Sequence, residues 1–127
     1  MGVAMDRSTL GPSPHAERAP DHRIEITEAR GRWKVAVDGV RVADSTRVLA
    51  LDETGYERAL YFPPEDVATE KLATSDTRTS CPFKGAARYY AVDGEDVAWY
   101  YPDVYDEVAP IAGYVAFYPG RAEIESM

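Results

Sequence analysis

Cys81, Lys84 and Glu53 are the residues of this chain whose types and settings suit covalent or acid–base chemistry. Cys81 is the only cysteine, and it lies in the stretch "SDTRTSCPFKGAARYY", residues 75–90. A thiol becomes a nucleophile when a nearby positive charge favours its thiolate, and Arg78, Lys84 and Arg88 are the local candidates. Pro82 fixes the backbone after Cys81 and Gly85 lets the chain turn, so a Cys-Pro-x-Lys-Gly turn can present thiol and ammonium on one side of a loop. The competing reading is a buried, inert thiol, since free cysteine is among the most buried residue types. Lys84 sits among apolar and aromatic residues. There a lysine can bind phosphate or carboxylate or form a Schiff base. Its alternative is a solvated turn lysine. Glu53 can orient Lys84 or Arg47, or act as a general base when partly buried.

Ligand-contacting residues are sought next. Arg47 and Glu53 fall on one face of an expected strand, with Leu49 and Leu51 between them. Charges at the ends of an apolar face either solvate a rim or aim into a pocket. Tyr61, Tyr89 and Trp99 belong to a large aromatic complement. Such rings, where not plain packing, suit sugars, purines or other flat ligands.

The elements that must position these groups show a period of two from residue 24 onward. "RWKVAVDGVRVAD" alternates about an Asp38-Gly39 hairpin turn. "TRVLALDET", "ALYFP", "AARYYAV", "DVAWYYP" and "YVAFYP" read as further strands, with Asp93-Gly94 joining two of them and "AEIE" as a candidate edge. "PPEDVA" reads as a helical turn, with proline near its first position and acids where they suit the dipole. "DVYDEVAPIAG" reads as a short helical or irregular crossover, and the segment before Cys81 as a polar loop. The expected fold is mainly β, with short antiparallel strands and one or two helical turns. Residues 1–22 are expected to be a disordered tail holding both histidines, His15 and His22, and residues 23–127 the domain. The folded part then has no imidazole for acid–base work.

Composition narrows the partners. The 127 residues suit one domain with one core. The formal charge of −8 opposes a nucleic-acid partner, which calls for a basic face. The charges of residues 1–23 cancel. An acidic run from Asp93 to Glu107 contrasts with the basic island of Arg78, Lys84 and Arg88. One cysteine allows no internal disulfide and no multi-thiolate metal site, so no zinc and no cofactor are expected. No membrane span and no secretory signal are visible. A soluble, bacterial-type cytoplasmic protein is the expectation.

The pieces "RVLALDETG", "LYFPPEDV", "TSCPFKGAARYY", "VAWYYP" and "VAPIAGYVAFY" fall in order within residues 32 to 119. With them the chain resembles the family catalogued as domain of unknown function 427, whose label carries a nucleotidyltransferase-like name. The resemblance implies a β-tent architecture, in which other members often hold zinc between two Cys-x-x-C pairs. Here only Cys81 is present. Family members often have a histidine just before the cysteine, where this chain reads "SDTRTSC" with Thr77. The resemblance covers both Arg47 and Glu53 and favours the pocket reading for them.

Nucleotidyl transfer needs paired carboxylates for Mg²⁺ and a cradle for a triphosphate. Asp52-Glu53, Glu65-Asp66 and Glu95-x-Val97 are the near misses. Adjacent acids on a strand face opposite ways, and no Gly-rich phosphate loop is present. The reading is a small-molecule-binding domain whose concave aromatic and polar pocket lies near Cys81 and Lys84, for an anionic or flat ligand. The alternatives are a small enzyme using Cys81 or Lys84 as nucleophile, or a nucleotidyltransferase-like activity. Oligomeric state is not legible.

Overall fold

The computed structural model describes residues 9–14, 19 and 21–126. Ten strands form two antiparallel sheets: β1 (Ile24–Glu28), β2 (Trp33–Val37), β3 (Val40–Ser45), β4 (Leu49–Glu53), β5 (Ala59–Phe62), β6 (Ala73–Cys81), β7 (Gly85–Val92), β8 (Glu95–Tyr100), β9 (Val115–Phe117) and β10 (Glu123–Ser126). The large sheet runs β1-β4-β5-β9-β8-β7-β6 and the small one β10-β2-β3. Three short 3₁₀ segments, Pro64–Asp66, Thr69–Lys71 and Asp106–Ile111, complete the regular structure among the described residues. The fold is therefore mainly β, as the period-two pattern predicts.

Both Asp-Gly pairs make tight hairpins. Asp38 and Asp93 each take φ of 52°, followed by Gly39 at 81° and Gly94 at 82°. Positive φ at both central residues gives the turn whose twist matches the flanking strands. Two strands were not anticipated as such. β1 pairs with β4 along its whole length, from Ile24 opposite Glu53 to Glu28 opposite Leu49. β6, read from sequence as a polar loop, is a nine-residue edge strand whose register with β7 shifts between Thr74 and Arg78. Its polar composition hides it from a hydrophobic pattern, yet suits an edge that must not pair with another chain.

Each central strand of the large sheet sends neighbouring residues to opposite sides. Ala50, Phe62, Ala98, Val115 and Phe117 face the small sheet and join Val35, Val37 and Val42 in one core cluster. Leu51, Tyr61, Ala116 and Trp99 face the other way, toward Tyr101, Val104, Val108 and Ile111. The second side carries the candidate site.

Of the segment expected to be a loose tail, residues 1–8, 15–18 and 20 lie outside the described residues, as does His15. The described part is hydrogen-bonded to the sheet's site side. The Leu10 N–H donates to the Val104 carbonyl at 2.8 Å and the Asp106 N–H to the Gly11 carbonyl at 2.9 Å. The Ser13 hydroxyl donates to the Pro82 carbonyl at 2.7 Å.

Candidate functional site

A row of paired residues makes the floor. Tyr61 stands opposite Ala116, Ala116 opposite Trp99, and Trp99 opposite Tyr89. The small Ala116 lets the flanking rings meet across it. Trp99 Nε1–H donates to the Tyr61 hydroxyl at 3.2 Å, and the two rings lie edge to face with centroids 6.3 Å apart. At the far end, Tyr89 OH and Thr79 Oγ1 are 2.8 Å apart, while Tyr118 packs on both Trp99 and Tyr89. Above this floor opens a cleft of about 860 Å³, bordered also by Cys81, Lys84, Glu53 and His22.

The loop from Cys81 to Gly85 closes one side. The Lys84 N–H donates to the Cys81 carbonyl, and Lys84's own carbonyl accepts from the Tyr105 N–H. Gly85 has φ of +135°, and a Cβ there would lie 2.6 Å from the Asp103 carbonyl oxygen. Only glycine fits so close an approach in that conformation. The turn aims the Lys84 ammonium inward, where Nζ donates to Glu53 Oε1 at 2.5 Å with both side chains below a tenth exposed. Glu53 ends β4 two residues past the last β4–β5 pair, Leu51 with Ala59, so its carboxylate overhangs the cleft. Its second oxygen, Oε2, is 2.8 Å from His22 Nε2. The imidazole stacks on Phe83, with centroids 4.0 Å apart and planes at 17°.

Six of the seven residues singled out from sequence, Cys81, Lys84, Glu53, Tyr61, Tyr89 and Trp99, border this one cleft. Arg47 does not. It precedes the start of β4, so the strand parity that seemed to align it with Glu53 does not reach it. Its exposed guanidinium pairs with Glu65 at 2.8 Å and Asp66 at 3.4 Å, beside a separate groove. The basic island divides likewise. Arg78 and Arg88 stand opposite each other on β6 and β7 and border a shallow depression apart from the cleft. Lys84 alone of the three lines it.

His22 is the residue that sequence reasoning missed. Its surroundings in sequence are proline-rich and unpatterned, and nothing local signals that it folds back on Glu53. The expectation of a folded part without an imidazole is corrected by this contact.

The electrostatics are those of a polar end set in an aromatic trough. Burial is the main influence on the Tyr61 and Tyr101 hydroxyls and pushes both well above the ordinary tyrosine range, so they stay neutral donors. Tyr118 is pushed up to about 12, by burial first and then by its neighbour Tyr89. Thr77 donates to Asp96 at 2.7 Å. With Ser75 it holds that carboxyl below its usual range.

Asp52 and Glu53 are adjacent but separated by the sheet. Asp52 forms a bidentate pair with Arg58 at 2.9 Å, and Glu53 is engaged by Lys84. Each carboxylate is neutralised by its own cation, and the two do not converge. Among the described residues no three His, Cys, Asp or Glu side chains gather as a group able to hold a metal ion. No helix among them is long and apolar enough to cross a membrane.

The family described as a domain of unknown function (DUF427), labelled NTP_transf_9, matches residues 25–127, and the chain belongs to it. No curated protein matches the chain. His22 lies just outside the matched span, while Glu53 and Lys84 lie within it.

Proposed function

We propose that the protein is a small-molecule-binding domain whose cleft takes a flat, largely apolar ligand with a polar edge. The observation that carries this reading is the buried Lys84–Glu53 pair on the wall of an aromatic cleft of about 860 Å³. A volume of that order suits a drug-sized ligand, and a few fixed polar groups among rings are the usual composition of such sites. Tyr61, Trp99 and Tyr89 offer faces and edges for stacking, and the ammonium offers donors at one end. A flat ligand is favoured over a strongly anionic one, because Glu53 offsets the Lys84 charge and the two arginines border a different depression.

The covalent alternative has less support. A Schiff base needs a neutral amine, whereas Lys84 is held as the partner of a carboxylate. Cys81 is half-buried at a cleft that Arg78 and Arg88 do not line, and the Lys84 ammonium there is engaged by Glu53. Nucleotidyl transfer lacks converging carboxylates among the described residues.

Equilibrium dialysis with 4-nitrophenol, a flat aromatic probe, tests the reading. Saturable binding to the full chain is expected, at least tenfold weakened in Tyr89→Ala. Absence of saturable binding to the wild-type chain would end the proposal.

A further inference from the structure

We infer that His22 is a proton acceptor facing the cleft, so that the site takes weakly acidic flat ligands, phenols, enols or ring N–H groups, and binds them as their anions. The inference rests on the binding reading above and adds a chemical class to it. Glu53 shares its Oε1 with the Lys84 ammonium at 2.5 Å, so it is held as a carboxylate and can only accept hydrogen bonds. The nitrogen 2.8 Å from its Oε2, His22 Nε2, must therefore carry the proton. In a neutral imidazole that leaves Nδ1 as a bare lone pair. No described residue hydrogen-bonds to Nδ1. The ring borders the cleft with 17% of its side chain exposed. A carboxylate behind one ring nitrogen and an open lone pair at the other is the arrangement of a positioned base.

The charges balance without any further reactant. The ligand's O–H or N–H bond breaks, a bond from that proton to Nδ1 forms, and the electron pair stays on the ligand. The imidazolium is then held by Glu53 through Nε2 and pairs with the ligand anion through Nδ1, while Lys84 keeps its own pair with Glu53. Two opposite pairs replace one pair and two neutral molecules. The charged groups facing the imidazole are Glu53 from β4 and Lys84 from the loop that closes the cleft. Glu57 and Arg58 border the same cleft from the connection between β4 and β5, with Arg58 already bound to Asp52. Phe83 holds the ring plane by stacking.

4-Nitrophenol reports on this directly, because its phenol and phenolate differ in colour and interconvert near neutral pH. Dialysis measures how much is bound, and the absorbance of the bound fraction measures its ionisation. At a pH where the free probe is mostly phenol, the wild-type chain is expected to hold it mostly as phenolate. His22→Gln is expected to weaken binding and to return the probe that still binds to the phenol form. Arg47→Gln, outside the cleft, is expected to change neither. Circular dichroism checks that each variant is folded. Equal phenolate fractions on wild type and His22→Gln would overturn the proton-acceptor role while leaving the binding cleft intact. No saturable binding to wild type would overturn both. Nitrogen-15 spectra of the imidazoles give a readout independent of any probe. A neutral His22 with its proton on Nε2 is expected, and a proton on Nδ1 would overturn the assignment.

Discussion

The two sides of the large sheet are covered to different extents and by different means. The side facing the small sheet is filled by Val35, Val42, Ala50, Phe62, Val97 and Val115, each at most 2% exposed and none with a polar side-chain atom. The other side is covered only in part, by the turns around Tyr101, Val104 and Ile111, and holds hydroxyls, an indole N–H and a charged pair. One side derives its stability from close packing, which carries no chemistry. The other gives up part of that packing to an open cleft and keeps polar groups in fixed positions. One strand set serves both ends because its side chains alternate.

That contrast can be broken at its strongest point first. Phe62→Ala, on the closed side, is expected to cost about 4 kcal/mol through a cavity that β5 cannot collapse into. The ring also loses its edge-to-face contact with Phe117, whose centroid lies 5.8 Å away. Urea unfolding would show it as a lower midpoint with an unchanged slope.

On the open side the largest effect should be electrostatic. Glu53→Ala leaves Lys84 buried without its partner and is expected to cost about 3 kcal/mol. The double change Glu53→Leu with Lys84→Met should restore most of that stability while 4-nitrophenol no longer binds as phenolate. If the double variant were as unstable as the single one, the pair would be acting through packing alone.

Gly85→Ala sharpens the comparison at the loop. Its Cβ meets a backbone oxygen rather than a movable side chain, so the loop and the Val104 bridge must shift apart. A loss of about 2 kcal/mol is expected from the disfavoured backbone conformation together with that clash. Loss of 4-nitrophenol binding should accompany it.

Arg47→Ala should do least. Its exposed pairs with Glu65 and Asp66 are of the kind that contributes little. No resolvable change in unfolding midpoint or in 4-nitrophenol binding is expected. A clear loss of binding would place Arg47 at the cleft after all.

The division between what the sequence reveals and what it hides follows the same contrast. Alternation of Val, Ala and aromatic residues and two Asp-Gly turns were enough to read most of the sheet. They were enough because hydrophobic period and turn chemistry are local. β6 was hidden because "ATSDTRTSC" gains its strand conformation from pairing with β7, not from a buried face of its own. At the site, Cys81, Lys84 and Tyr89 were legible because they lie in or beside one turn. Glu53 joined them through a correct parity with Leu51. Arg47 was misplaced by extending that parity beyond the strand's first residue. His22 reaches Glu53 across a separation of 31 residues, and no local rule encodes such a contact.

His22 has a further consequence for how this protein is divided. Homology draws the domain's edge at residue 25. The hydrogen bond from His22 Nε2 to Glu53 Oε2 crosses that edge, and so does the stacking on Phe83. A chain trimmed to the matched span keeps every strand residue of both sheets except Ile24, so it should still fold. Yet Phe83 and one carboxylate oxygen would lose their cover, and the cleft would lose an acceptor. The unit that folds and the unit that carries the proposed binding site have different boundaries here, and a trimmed chain that looks intact by circular dichroism would answer binding questions about a different site.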